Sequence, residues 1–148
     1  MSTALIIVDI QNDYFPNGKM ELSKPELAAA NAAKVLDWFR KNTKDSVYHV
    51  QHIASDPALG FFLPDTTGAE IHKTVLPLEN ETVVTKSFAN SFLETGLESK
   101  LRENGVTKVV IIGMMTHMCI DATVRAAVDL GFEAVLIEDA CATRDLSY

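Results

Sequence analysis

Three side chains that could act together in hydrolysis follow apolar segments of the sequence. Asp9 and Lys86 come directly after short apolar runs, and Cys119 stands a few residues after the run Lys108–Ile112. A thiolate is a nucleophile, and a carboxylate can accept the thiol proton and later donate it to a departing amine. Attack of Cys119 on an amide or ester carbonyl would give a thioester, which water then cleaves. This chemistry requires no metal and no other cofactor.

The expected surroundings of Cys119 favour the thiolate. Cys119 begins a helical pattern that runs to Leu130, and the positive end of a helix dipole lowers the pKa of a thiol. A nearby Lys86 ammonium would lower it further. Taken singly, a cysteine at a helix start is more often a packing residue, and an Asp or Lys after a strand usually caps a turn or faces solvent. Their shared position at the carboxyl ends of strands strengthens the catalytic interpretation, which at this point stands level with the structural ones.

The elements that must position these side chains alternate along the chain. This alternation predicts an α/β fold, a three-layer doubly wound parallel sheet with helices on both faces and strand order 3-2-1-4-5. Active sites of such sheets lie beyond the carboxyl ends of the strands, near the point where the order reverses. The predicted strands are Ala4–Val8, Ser46–Ile53, Thr82–Thr85, Lys108–Ile112 and Glu133–Ile137.

The sequence also predicts where two helices begin and what the long connection does. Capping boxes at Ser23–Glu26 and Thr95–Glu98 predict two helices, the second of which ends at Gly105. The first helix is expected to bury the face formed by Leu27, Val35, Leu36 and Phe39. The long segment 54–81 is expected to be a lid or binding loop, and its Phe61–Phe62 pair a lid or subunit contact.

Composition narrows the classes of partner. The chain has 148 residues, 47% of them hydrophobic and 22% charged, which predicts a single globular domain spanning residues 1–148. The net charge of −7 argues against nucleic acid and anionic membranes as partners. The sequence shows neither a membrane span nor a signal peptide, and its two cysteines follow no disulfide or metal spacing, so a cytoplasmic protein is expected.

Three stretches of the chain carry a family resemblance. ALIIVDIQNDYF, TKSFANSF and VVIIGMMTHMCIDATVRAAVDLGFEAVLIEDACAT together resemble the isochorismatase-like cysteine hydrolases, which include nicotinamidases, carbamoyl-amide hydrolases and members of unassigned substrate. The resemblance implies the same doubly wound fold and catalytic roles for Asp9, Lys86 and Cys119. It also implies a cis peptide between Met114 and Met115, with the N–H groups of Met115 and Cys119 forming the oxyanion hole.

The sequence departs from the family pattern in two places. Nicotinamidases bind a metal through an Asp-x-His pair and a further His, whereas this chain reads YHVQHIASDP, with His49 and His52 on opposite faces of a strand. We therefore expect a metal-free enzyme that is not a nicotinamidase, and Cys119 argues against true isochorismatase chemistry. The chain also lacks the helix and strand with which family members continue, so one sheet edge and face are expected to lack cover or to be covered by another subunit. Family members commonly self-associate, and a homo-oligomer is expected.

The prediction is a metal-independent cysteine hydrolase that cleaves a small amide or ureido-type C–N bond. Phe15, His52 and His117 are the expected substrate-binding residues, although each could instead have a structural role. Three alternatives remain open at this point: a non-catalytic binding or assembly protein of the same fold, a redox thiol protein, and a metal-dependent nicotinamidase.

Overall fold

Five parallel strands form one sheet in the order β3-β2-β1-β4-β5, which confirms the predicted topology. The computed structural model describes residues 2–146. The strands are β1 Ser2–Val8, β2 Val47–His52, β3 Thr82–Lys86, β4 Val106–Met114 and β5 Glu133–Ala142. The central strands β1 and β4 are the buried apolar runs that a parallel sheet covered on both faces requires, whereas the edge strands β3 and β5 are partly exposed.

Helices cover both faces of the sheet, as predicted. Alternate residues of a strand point to opposite faces, and β1 divides its side chains in this way. Leu5 and Ile7 pack with α1 (Pro25–Asn42), whereas Ile6 packs with α2 (Leu97–Glu103) and α3 (Asp121–Asp129). The two apolar clusters hold the carboxyl ends of the strands in place.

The start and the buried face of α1 differ from the sequence prediction. Ser23 does not cap the helix, because Lys24 takes a left-handed conformation (φ 49°) and Pro25 occupies the first helical position. The Ser23 N–H donates instead to the carbonyl of Thr143. Leu27 is consequently 61% exposed. The buried residues of α1 are Pro25, Ala28, Ala29, Ala32, Leu36 and Phe39.

The predicted capping box before α2 is also only half formed. Gly96, with φ 72°, precedes the helix, and the Thr95 hydroxyl accepts a hydrogen bond from the Leu97 N–H. Glu98 pairs with Arg102 one turn along the helix and does not reach back. Gly105 ends the helix with a positive φ, as expected.

The long connection between β2 and β3 packs over the carboxyl ends of the strands. It contains three short 3₁₀ turns, and it buries Phe62 and Val75 in the cluster below α1. A bridge between Gln11 and Ile71 attaches it to the segment after β1. At the far edge of the sheet, β5 leaves Val135 partly exposed. Within residues 2–146, no helix combines the length and the apolar character needed to cross a bilayer.

Candidate active site

Asp9 is held by the close approach of β1 and β4. It follows the last residue of β1 in a left-handed conformation (φ 54°), and its side chain is wholly buried. Val8 pairs with Gly113 of β4, where a Cβ atom would lie 2.0 Å from the Val8 carbonyl oxygen. Glycine at position 113 therefore lets the two strands approach closely enough to bring Asp9 beside the turn that follows β4.

Cys119 lies in an irregular turn between β4 and α3. The Met114–Met115 peptide bond is cis, and residues Thr116–Ile120 form a π-helical turn before α3 begins at Asp121. The helix start predicted at Cys119 is therefore wrong, because a wider turn precedes the α-helical turns. The N–H groups of Met118 and Ile120 donate to the Met115 carbonyl.

Lys86 reaches across β2 to join these groups. Its side chain is fully buried, and Nζ lies 2.9 Å from Asp9 Oδ2 and 3.2 Å from Cys119 Sγ. The ammonium also lies 2.8 Å from His52 Nδ1 and 2.9 Å from the carbonyl oxygen of Phe88. The structure thus brings together the three side chains that the sequence singles out, around a single cation.

The Lys86 contacts decide how His52 is protonated. A lysine ammonium only donates hydrogen bonds, so His52 Nδ1 accepts and Nε2 carries the proton. Burial lowers the pKa of His52, and the Lys86 charge lowers it further, which keeps the ring neutral.

The thiol of Cys119 is protonated in the resting site, contrary to the prediction. Burial raises the pKa of Cys119 to about 12; the Asp9 charge adds to the rise, and Lys86 opposes it. The prediction counted Lys86 and a helix dipole but not the desolvation and the adjacent carboxylate. Neither Asp9 oxygen has a hydrogen-bond partner of regular geometry in the described part of the chain, which leaves the carboxylate able to accept a proton.

The same groups do not suit a metal ion. Asp9, His52 and Cys119 present ligand atoms within 4.8 Å of one another, a set that divalent metals can bind. The Lys86 ammonium already lies within 3.2 Å of all three side chains, so a second cation would meet strong repulsion there. His49, the other histidine of β2, contributes nothing to this cluster, because its Nε2 lies 2.9 Å from Glu81 Oε1.

A cavity of about 250 Å³ opens beside Cys119. His52 lines it, together with several aromatic and thioether side chains. The bulky apolar residues of the wall are Tyr14, Leu59, Phe61, Phe62, Phe88, Met115 and Met118. The loop pair Phe61–Phe62 thus forms part of the pocket. A larger cavity, of about 500 Å³, lies near the start of β2 and β3 and contains none of the three reactive side chains.

Phe15 and His117, the other two expected pocket residues, do not line this cavity. Phe15 is buried and stacks on His72 with ring centroids 3.6 Å apart. His117 is exposed on the π-helical turn, and its Nδ1 contacts the hydroxyl of Thr143. Both residues directly adjoin motif positions, but the turns that follow β1 and β4 point their side chains away from the reactive sulfur.

Two polar residues of the QND segment, Gln11 and Asp13, hold the cavity wall through hydrogen bonds to backbone groups. For Gln11 such bonding to the loop is one of the two roles that its sequence position suggests, whereas no particular role is expected for Asp13. Gln11 is wholly buried, donates to the carbonyls of His52 and Ala69, and accepts from the His52 N–H. Asp13 accepts a hydrogen bond from the N–H of Phe62, at 2.8 Å. The sequence does show an amide and a carboxylate immediately after a buried strand, which indicates that they have a structural or catalytic role. It does not show their partners, because these are backbone groups of the distant long loop.

Comparison with known proteins agrees with this geometry. The profile of the isochorismatase domain matches residues 3–148. The chain belongs to the isochorismatase family. Members of this family are hydrolases, and the predicted family resemblance is confirmed.

Several isochorismatase-family relatives span nearly the whole chain. The isochorismatase family protein YddQ of Bacillus subtilis is 58% identical over 146 residues, which cover 99% of this chain and 81% of that protein. A crystal structure from Oleispira antarctica, assigned as an isochorismatase hydrolase, superposes with a TM-score of 0.92 at 47% identity, covering 99% of this chain and 79% of that one. N-carbamoylsarcosine amidase from Thermoplasma acidophilum superposes with a TM-score of 0.87 at 27% identity, covering 97% and 83%.

Proposed function

We propose that the protein is a metal-independent cysteine hydrolase that cleaves a small amide or ureido-type C–N bond through a thioester. The observation that carries this proposal is the position of the Lys86 ammonium within 3.2 Å of both the Asp9 carboxylate and the Cys119 sulfur. Similarity to an N-carbamoylsarcosine amidase supports an amide-type substrate.

The first half of the reaction forms the thioester. Asp9 accepts the thiol proton as Cys119 Sγ attacks the carbonyl carbon, and the carbonyl oxygen becomes an oxyanion. We assign the N–H groups of Met115 and Cys119 as its donors, because both belong to the turn after β4 that also carries the reactive sulfur. Protonated Asp9 then gives its proton to the nitrogen as the C–N bond breaks, which releases the amine.

The second half returns the enzyme to its resting state. Asp9 accepts a proton from water as the water oxygen attacks the thioester carbonyl. The C–S bond breaks, the carboxylic acid leaves, and the thiolate recovers the proton from Asp9. Each proton that Asp9 takes up comes from a neutral thiol or water as that group attacks the carbonyl carbon, and Asp9 gives the proton up again as the C–N or C–S bond breaks. Apart from the Lys86 cation, the buried site therefore keeps one net negative charge throughout, and Lys86 always has an anion to pair with.

The resting protonation of Cys119 favours hydrolysis over the redox alternative. A redox thiol is usually a partly exposed thiolate with a low pKa, whereas burial raises the pKa of Cys119. The nicotinamidase alternative needs a metal beside the substrate, and Lys86 fills the position where the Asp9, His52 and Cys119 atoms converge.

The decisive experiment is to trap the acyl-enzyme. Wild-type protein mixed with a panel of small amides and ureas should gain the mass of the acyl group on Cys119, and added hydroxylamine should divert product from the acid to the hydroxamate. Asp9→Asn and Cys119→Ala should release no product, whereas Cys141→Ala, which alters the other thiol, should retain turnover. Hydrolysis at the wild-type rate by Cys119→Ala would refute the mechanism, and folded protein that never acylates would favour a binding protein.

We also infer that the protein acts in the cytoplasm as a homo-oligomer. Two unpaired cysteines support a reducing compartment. Val135 and Leu136 of the edge strand β5 are 37% and 42% exposed, which supports association through this edge. Light scattering of the wild type and of Leu136→Lys tests it: the wild type should be larger than one chain, and the variant should be smaller than the wild type.

A further inference from the structure

The cavity beside Cys119 offers a substrate almost no charged partner. Of the side chains that line it, Asp56 carries the one formal charge, and Asp56 stands at the exposed rim. Lys86 is not part of the lining, and its nearby acceptors already exceed the three protons of an ammonium. No Lys or Arg of the described residues therefore faces the cavity to receive a substrate carboxylate.

Besides the exposed hydroxyls of Ser55 and Ser87, the polar side chains that remain in the wall are the neutral donors His52 and Tyr14. His52 presents Nε2–H, since its Nδ1 accepts from Lys86. Burial raises the pKa of Tyr14, and the charges of Asp9 and Asp13 add to the rise, so the Tyr14 phenol stays protonated. A neutral acceptor can pair with such donors, whereas a carboxylate would lose its hydration among aromatic rings and lie near the negative charges of Asp9 and Asp56.

We propose that the site selects small substrates whose non-reacting part is uncharged and largely apolar, and that it rejects those that carry a carboxylate, such as N-carbamoyl amino acids. The proposal rests on the proposed function for the identity of the reacting carbonyl. The physical basis of this selectivity is independent of the hydrolysis mechanism, because it concerns only which molecules the cavity binds. The cavity volume of about 250 Å³ limits that part to roughly the size of one ring or a short alkyl chain.

Two matched pairs of compounds test the proposal. Terephthalamide and 4-carbamoylbenzoate have nearly the same shape, as do adipamide and adipamate, and each pair differs by one negative charge. Binding is measured by calorimetry on the Cys119→Ala protein, which cannot form the thioester, so the result does not depend on catalysis. We expect each diamide to bind at least tenfold more tightly than its acid, beyond the factor of two for its duplicated amide.

Variants at the rim of the cavity test whether tighter binding of the diamide arises from electrostatic repulsion of the acid. Asp56→Asn keeps a side-chain oxygen that can accept the hydrogen bond from the Ala58 N–H and so cap the 3₁₀ turn. Because the variant removes the negative charge, it should reduce the ratio of diamide affinity to acid affinity. Leu59→Arg places a cation on the lining and should narrow the ratio further, whereas Leu59→Met should leave the ratio unaltered. Equal binding of acid and diamide, tighter binding of the acid, or no binding of either compound overturns the proposal. Failure of the hydrolase assignment is recognised separately, by the absence of acylation in wild-type protein.

Discussion

Nζ of Lys86 lies 2.9 Å from Oδ2 of Asp9, and both side chains are completely shielded from solvent. A strand separates the two backbones, since β2 lies between β1 and β3. The pair is therefore a buried ion pair that the fold assembles from distant parts of the chain. Such a pair contributes little against an apolar replacement, but loss of one partner leaves an uncompensated buried charge.

Lys86→Met should lower the free energy of unfolding by about 3–5 kcal/mol, because it leaves the Asp9 carboxylate alone in the interior. Adding Asp9→Asn should recover part of this loss, so that the double variant is more stable than the sum of the single effects implies. Urea unfolding of the four proteins measures the coupling.

The control for this cycle is Lys41→Met, which breaks an ion pair of similar length. Lys41 Nζ lies 2.8 Å from Asp37 Oδ2, but the two side chains are 72% and 60% exposed. Its removal should change the free energy of unfolding by less than about 0.5 kcal/mol. If Lys86→Met costs no more than Lys41→Met, the two charges are not paired in the folded protein.

Labelling of the Cys119 thiol as a mixed disulfide should be slow and should accelerate steadily with pH. Because burial raises the pKa of Cys119 to about 12, very little of the thiol is ionised at pH 7.5. In a Cys141→Ala background, the rate of labelling by methyl methanethiosulfonate should rise close to tenfold per pH unit from pH 7 to 9.5. A plateau below pH 9 would mean that the thiolate is already the resting form.

Asp9→Asn should speed up chemical labelling of the Cys119 thiol and abolish amide hydrolysis by the same residue. Removing the carboxylate removes a negative charge that raises the pKa of Cys119, and it frees Lys86 to pair with the thiolate. Labelling at pH 8 should therefore speed up at least tenfold while amide hydrolysis is lost, because no group remains to carry the proton. Slower labelling would show that Asp9 assists ionisation of the thiol even without a substrate.

Sequence patterns were sufficient for the features that depend on periodicity. The strand order follows from apolar runs separated by helices, and the meeting of Asp9 with Cys119 follows from the adjacency of β1 and β4. The approach of Lys86 does not follow from the strand order, because β2 separates β3 from β1 and only a long side chain that curls inward can close the gap.

Sequence patterns could not predict the features that depend on desolvation and on the direction of side chains. The pKa of Cys119 was predicted in the wrong direction, because burial under the loop that carries Phe62 outweighs the cation that the motif supplies. The same limit explains why Phe15 was chosen in place of Tyr14. The 3₁₀ turn Asn12–Tyr14 decides which of two adjacent aromatic rings faces the sulfur, and no repeat in the sequence specifies that turn.

Gly113→Ala should disturb the site through the strand that carries Asp9. The added Cβ atom would lie 2.0 Å from the Val8 carbonyl oxygen, so β1 and β4 must separate. We expect a loss of at least about 2 kcal/mol in the free energy of unfolding and a fall in hydrolysis. Gly131→Ala is the matched control, because Gly131 also has a positive φ (94°) but a Cβ atom added there would have no neighbour within 4 Å. Equal losses in the two variants would show that backbone strain, not the close approach of the strands, accounts for the effect.

Glu81, which lies outside the Cys119 site, should make the free energy of unfolding fall in acid. Burial alone would raise the pKa of Glu81, but hydrogen bonds from Arg40, the Leu78 N–H and His49 outweigh it and lower the pKa from 4.5 to about 2. A carboxyl whose pKa is lower in the folded state stabilises the fold above its unfolded pKa, and that contribution is lost as the pH falls. Here the contribution is fully present above about pH 4.5 and disappears between about pH 4.5 and pH 2.

Glu81→Gln measures this contribution directly. The variant should unfold more easily than the wild type at pH 7, and the difference should shrink towards zero as the pH approaches 2, where the wild-type carboxyl becomes protonated. Glu98→Gln is the control, because Glu98 pairs with Arg102 at 3.2 Å with 43% of its side chain exposed, and its effect should be small at every pH. A Glu81→Gln difference that stays constant from pH 7 to pH 2 would assign its effect to lost packing, because the charge of Glu81 would then contribute nothing to the pH dependence of unfolding.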